Sequence, residues 1–319
     1  MKGLEELKDK IHEILPDLDL VIGWEQGYDG LHATPLFIKT PEDVDRLIIG
    51  PLCVHNLATY LPGLKDKKVG VIVKGCDSRA VIELLQEKLI NKDNVVILGL
   101  TCDGVINLTK LGRKIGSLGA VDDVKVEGEK LNVVIGDQQH NIAFSEVKQD
   151  KCENCIYPNA LVFDHFIGEP VDRVENVGAE HQSLSDFEGK SFDQRFAFWK
   201  HEMSRCIRCH ACRNACPMCV CRDHCVAMTR NPHWLSQENN VAENWMFQMI
   251  HVMHLTGRCV ECGECERACP MDIPLMLLRR QMNRGVREVF DYEAGIDAQN
   301  RPPLLTFKVE EDNISEREW

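Results

Sequence analysis

The stretch RCIRCHACRNACP, residues 205–217, returns as RCVECGECERACP, residues 258–270. Each copy follows an amphipathic helical pattern and reads CxxCxxCxxxCP. The first holds Cys206, Cys209, Cys212, Cys216 and Pro217, the second Cys259, Cys262, Cys265, Cys269 and Pro270. Three thiolates spaced by two residues wrap a loop around one iron-sulfide cubane, and the fourth, followed by proline, is carried toward the other cubane. The spacing assigns Cys206, Cys209, Cys212 and Cys269 to one 4Fe-4S cluster, and Cys259, Cys262, Cys265 and Cys216 to a second. Thiolate is a soft ligand and suits such centres. Zinc is the competing reading, but zinc sites favour two CxxC pairs parted by a spacer over four cysteines in one tight run, twice over. The repetition predicts a duplicated unit with pseudo-twofold symmetry.

Around the repeats, FDQRFAFWKHEM, VAENWMFQMIHVMHL and PLMLLRRQMNRGVREVF carry apolar residues at helical spacing. Residues 191–290 are therefore expected to form a mostly α-helical dicluster ferredoxin domain. The gap from Cys216 to Cys259 is long for a compact ferredoxin and resembles the helical dicluster ferredoxins of succinate dehydrogenase iron-sulfur subunits and heterodisulfide reductase C-type subunits. Residues 291–319 read as an acidic, weakly structured tail or docking arm.

Residues 1–155 read as an α/β domain. Leu20 to Ile22, Pro35 to Ile38, Val69 to Val73 and Val95 to Leu98 are strand-like runs. Thr40 and Pro41 mark a helix start, with a helix to about Ile49. Ser78 to Ile90 has helical spacing between two apolar runs, which makes a strand, helix, strand unit with parallel strands. Val124 to Ile135 reads as a hairpin turning at Glu127 to Lys130 and capping the sheet. Residues 156–190, with Pro158, Pro170, Gly178 and Gly189, read as connector.

The totals bound the function. A chain of 319 residues is long enough for at least two cores. Sixteen cysteines behind an N-terminus with no apolar signal region predict a cytoplasmic protein whose thiols are metal ligands or redox groups. A net charge of -13 disfavours nucleic acid, since phosphate binding needs clustered Lys and Arg. No stretch approaches the roughly 18 apolar residues of a membrane span. No GxGxxG follows a strand, and Gly189-Lys190-Ser191 lacks the glycine that opens a P-loop.

Cys76 and Cys102 follow the third and fourth of these strand runs. Neighbouring parallel strands lie about 4.8 Å apart, and ligands gather outside their carboxyl ends, so both thiols should meet at one sheet edge. Cys152 and Cys155 form a CxxC just after the α/β core. Together the four could hold a third cluster. Equally, the CxxC could be redox-active, with Cys76 and Cys102 as small buried residues.

The segments PLFIKTPEDVDRLI, VGVIVKGCDSRAVIELL, VVILGLTCDG and KCENC leading to DHFIG, in this order over residues 35–170, resemble the beta-subunit family of deazaflavin-reducing hydrogenases and formate dehydrogenases. That resemblance implies a third 4Fe-4S cluster on Cys76, Cys102, Cys152 and Cys155. It implies FAD that takes electrons from the clusters, and a catalytic dehydrogenase or hydrogenase subunit or a heterodisulfide reductase-like flavoprotein as partner. Gly75 and Asp77 stand where the family carries proline and glutamine around the first cysteine.

The expected function is an iron-sulfur electron-transfer subunit of an anaerobic oxidoreductase complex. Its rivals are a flavin-free iron-sulfur adaptor and a non-enzymatic metal-binding redox sensor. Cys53, Cys219, Cys221 and Cys225 stay unassigned: CxCxxxC is no standard cluster spacing, and packing thiols are favoured over a further metal or flavin contact. His251 and His254 read as ordinary helix residues, with tuning of a cluster as the sharper alternative. Trp234, Trp245, Phe247 and Met249 read as core.

Overall fold

The computed structural model describes residues 3–116, 121–153, 155–172, 182–221, 225–228, 235–236 and 238–305. The amphipathic N-terminus forms α1 (Leu4–Ile14), which buries Leu7 and Ile11. Then come β1 (Leu20–Gln26), β2 (Ala33–Ile38), β3 (Leu47–Ile48) and β4 (Val69–Val73), followed by α2 (Gly75–Gln86) and β5 (Val95–Leu100). Next are α3 (Leu108–Ile115), β6 (Asp123–Glu127), β7 (Lys130–Ile135), β8 (Gln138–Ala143), α4 (Phe144–Val147), α5 (Asp150–Glu153) and β9 (His165–Ile167). The helical half holds α6 (Gln182–Glu188), α7 (Phe192–Arg205), α8 (Ala211–Ala215), α9 (Val241–Met253), α10 (Glu264–Arg267) and α11 (Leu275–Phe290).

The main sheet runs β2-β1-β4-β5-β9, with β3 also paired to β1. Strands β1, β4, β5 and β9 are parallel, and β2 is antiparallel. Strand β4 is buried throughout, and β1 and β5 nearly so. Such continuous apolar runs are what a parallel sheet covered on both faces requires.

Three elements differ from expectation. The Thr40 start is a capping box on a 3-10 turn, Pro41–Arg46, and not a helix to Ile49; Leu47 and Ile48 instead pair with β1, because the apolar pair gains more from the sheet. The 124–135 hairpin gains β8 and makes a separate three-stranded sheet over its own core of Leu31, Leu111, Leu131 and Val133, so it does not cap the main sheet. Within 156–190, β9 joins the edge of the main sheet, where Asp164 accepts the Ile97 amide (2.8 Å) and pairs with Lys92.

The start of the acidic tail packs on the α/β domain. Tyr292 and Ala294 are buried, Arg79 donates to Glu293 and to the Ala294 carbonyl, and the Gly295 amide donates to Glu83. Arg258, which opens the second repeat, makes a two-pronged ion pair with Glu87, the residue that follows α2. One continuous apolar core runs from the main sheet to Met218, Leu255, Val260 and Cys262 of the helical half. Among the described residues, no helix is long and apolar enough to cross a membrane.

Candidate iron-sulfur centres

Strand β4 passes into α2 within two residues, so Cys76 sits in the first turn of the helix. Only glycine fits at residue 75, where a Cβ would lie 1.8 Å from the Tyr157 carbonyl oxygen. That close approach brings the 157–159 segment over the sheet edge. There Thr101 bridges to Asn159 and the Cys102 amide donates to the Pro158 carbonyl (2.8 Å). Cys152, on α5, and Cys155 follow on the same side. Cys76, Cys102, Cys152 and Cys155 line one cavity of about 860 Å³.

Beneath these thiols lies a buried cation. Lys74 Nζ is 2.6 Å from the Asp77 carboxylate, 3.1 Å from the His55 carbonyl oxygen it donates to, and over the Trp24 ring. Desolvation pulls its pKa down, but Asp77, Cys76 and Cys102 raise it by more. Burial pushes the Cys102 thiol up to about 11, and the Cys76 and Cys155 thiols above their ordinary range. Redox-active cysteines have lowered pKa values. A thiol that binds metal gives up its proton as it does so.

In the helical half the repeats are structurally equivalent: α8 packs on α10, and each begins after a left-handed residue, His210 (φ 60°) in one and Gly263 (φ 70°) in the other. Thiols of one repeat lie close enough to those of the other to influence them. Cys206 feels the charge of Cys269 and Cys209, and Cys212 that of Cys269 and Cys206. Cys259, Cys262 and Cys265 each feel Cys216. Burial is the main cause of the raised thiol pKa in all five, about 11 for Cys212 and Cys259. Among the described residues, no three His, Cys, Asp or Glu side chains gather as a single metal ion would require.

Several groups around these thiols were not legible in the motif. Arg279 of α11 is 2 % exposed and donates to the His251 carbonyl (2.8 Å); its charge acts on Cys265, Cys259 and Cys216. Gln248 of α9 donates to Cys212 Sγ at 3.9 Å. Lys151 donates to the Cys262 carbonyl at 2.5 Å. Desolvation lowers the Lys151 pKa, and Cys76, Cys152, Glu264 and Cys262 outweigh it, leaving it above the ordinary value. The one sequence signal for Arg279 and Gln248 is a polar residue on an otherwise apolar helix face.

Cys53 is buried, with its thiol 3.7 Å from the Ile48 carbonyl, and burial pushes it up to about 12, which fits a packing role. Cys219 hydrogen-bonds to Cys216, Cys225 packs on the Trp199 and Phe247 core, and Cys221 is exposed. His251 is buried against Phe247 while His254 is exposed. Phe247 is core, Trp245 borders it and Met249 is exposed; Trp234 lies outside the described residues.

Residues 205–273 match the family model described as a 4Fe-4S dicluster domain. Over 91% of its length the chain is 26% identical to the F420-dependent formate dehydrogenase subunit beta of Methanocaldococcus jannaschii, covering 90% of that protein. It is 25% identical over 90% of its length to the F420-dependent formate dehydrogenase 1 subunit beta of Methanococcus maripaludis, covering 89% of it. The chain is thus similar to these beta subunits over nearly its whole length, and it carries a 4Fe-4S dicluster domain. A solved chain of the xenon-derivatised F420-reducing [NiFe] hydrogenase complex from Methanosarcina barkeri is 18% identical, with a TM-score of 0.38 over 48% of this chain and 59% of that one. The chain thus joins an α/β sheet region to a helical region that carries the dicluster domain.

Proposed function

We propose that the protein is an electron-transfer subunit that holds three 4Fe-4S clusters and relays electrons to or from a formate dehydrogenase or hydrogenase catalytic subunit. The thiol sets are Cys206, Cys209, Cys212 and Cys269; Cys259, Cys262, Cys265 and Cys216; and Cys76, Cys102, Cys152 and Cys155. The observation that carries the reading is the third set, four cysteines from two strand ends and a CxxC lining one cavity beside a dicluster domain. When bound, such clusters supply one-electron exchange without bond making. The chain's own residues do the rest. Lys74 and Arg279 place fixed positive charge next to the thiols, and Trp199 and Phe247 pack with Cys206 and Cys212 in one buried core.

The same reading extends to FAD. The cavity of about 860 Å³ is within the size range of cofactor sites, roughly 300–1,000 Å³. Its lining includes Arg280, 3 % exposed, whose Nε and one terminal nitrogen are buried without a hydrogen-bond partner and whose Nε lies 3.8 Å from the Glu261 carboxylate. Arg280, with Arg79 and Lys148 also lining the cavity, would hold a phosphate-bearing group, and a flavin there would pair single electrons for hydride chemistry. A heterodisulfide reductase-type flavoprotein is the proposed second partner. Sixteen free cysteines suit a reducing compartment, and we place the protein in the cytoplasm.

The test is to mix the anaerobically purified full chain with a formate dehydrogenase catalytic subunit and formate, and to follow its visible absorbance. Formate-dependent bleaching supports the relay. A chain that bleaches with dithionite but never with formate and the catalytic subunit is not that enzyme's relay. Flavin content decides between the FAD-containing subunit and the flavin-free adaptor.

A further inference from the structure

The two repeats differ at the residue that follows their second cysteine. After the second cysteine of the first repeat, the left-handed residue is His210, whose ring packs edge-on to Phe247 with centroids 4.9 Å apart. In the second repeat it is Gly263, and a Cβ there would lie 2.8 Å from Lys151 Cδ. The missing side chain leaves room for the Lys151 stem, and the ammonium group ends on the Cys262 carbonyl. Lys151 also precedes Cys152 in the chain, so it belongs to the α/β domain and reaches into the ferredoxin domain. It lines both the cavity of about 860 Å³ that holds Cys76, Cys102, Cys152 and Cys155 and the neighbouring cavity of about 600 Å³. Cys76, Cys216, Cys259 and Cys262 pack around one apolar core. Cys206, Cys212 and Cys265 belong to a different core, and Cys269 lies in the wall of the smaller cavity.

We infer that Lys151 is a positioning residue shared by two centres: its ammonium group links the α/β thiols to those of the second repeat, and makes the second repeat the neighbour with which the α/β domain exchanges electrons. The inference rests on the three-cluster reading above. The role is electrostatic. Lys151 forms no bond and releases no proton, and each electron gained by one centre beside it is the electron lost by its donor. A fixed cation between two centres favours the reduced, more negative form of both, and the first repeat lies outside its direct contacts.

The experiment is an EPR-monitored redox titration of the anaerobically purified full chain, wild type against Lys151→Met, which keeps the apolar stem and removes the charge. Iron is counted on both. The expected result is about twelve irons in each, with two of three reduction steps displaced at least tenfold toward the oxidised form, 59 mV for one electron, and the third step unmoved. Lys151→Arg should restore most of the displacement. Twelve irons with three unmoved steps, or a shift confined to one step, overturns the inference. A wild type with about eight irons overturns the three-cluster reading instead. If Lys151→Met loses iron, Gly263→Ala decides, since it displaces the lysine stem with every thiol and charge intact. The same two steps must then shift in the same direction, and unmoved steps overturn the inference.

Discussion

Cys76 in the first turn of α2 and Cys102 two residues beyond β5 face one cavity because their strands are adjacent and parallel, with Val73 opposite Gly99 in the ladder. Two thiols far apart in sequence are thereby placed by the sheet itself, and the CxxC of Cys152 and Cys155 closes on them from outside. Replacing Cys76 with Ser should remove about four of twelve irons while the EPR signals of the paired ferredoxin clusters persist. Retention of all the iron would remove Cys76 from the ligand set.

Gly75 has a backbone reason of its own. A methyl group 1.8 Å from the Tyr157 carbonyl and 2.9 Å from that of Asn159 cannot be accommodated without moving the loop that carries the CxxC over the sheet edge. Gly75→Ala is predicted to lower stability by about 1–3 kcal/mol or more and to cost the third cluster. Anaerobic thermal melting together with iron analysis checks both effects.

Gly295 pins the start of the tail. Its φ is +72°, and a Cβ would meet the Arg79 carbonyl at 2.4 Å and Val260 Cγ1 at 2.7 Å. Gly295→Ala should therefore loosen the 292–297 segment from α2 and lower the melting temperature, with a cost of about 2–4 kcal/mol from left-handed strain and overpacking combined. Its iron content should stay at the wild-type value, because no thiol lies in that contact.

Glu83 sets a pH dependence. Its carboxyl is pushed up to about 7, first by burial and then by Glu87, and one of its oxygens is buried without a hydrogen-bond partner. The folded state thus holds this proton more tightly than the unfolded chain. Its stabilising contribution is complete below about pH 4.5 and is lost as pH rises to about 7, a loss on the order of 3 kcal/mol. Glu83→Gln should melt higher than wild type at pH 8 and show a smaller difference at pH 6. Equal pH profiles for the two proteins would contradict the assignment.

Much of this architecture is written in local patterns. The repeated cysteine spacing carries the dicluster domain, and the continuous apolar runs at Val69 and Val95 carry the parallel pair. What the sequence concealed depends on partners distant along the chain. Strand β9 is three residues long and exists through its pairing with β5. The 3-10 turn after Thr40 carries the same capping signal as an α-helix, and only the sheet partner of Leu47 decides its length. Tyr292 to Gly295 reads as polar tail because its stabilising contacts, Arg79, Glu83 and Gln86, lie on α2 more than two hundred residues earlier. Lys151 looks like any lysine beside a CxxC, and its reach to Cys262 follows from a glycine in the other domain.

The most direct test of the central claim is the iron, sulfide, zinc and flavin content of the anaerobically purified chain, with EPR of the dithionite-reduced sample. Three centres predict about twelve irons and matching sulfide per chain, with coupled 4Fe-4S signals. About eight irons would contradict the cluster on Cys76, Cys102, Cys152 and Cys155, and zinc in place of iron would contradict the electron-transfer account as a whole.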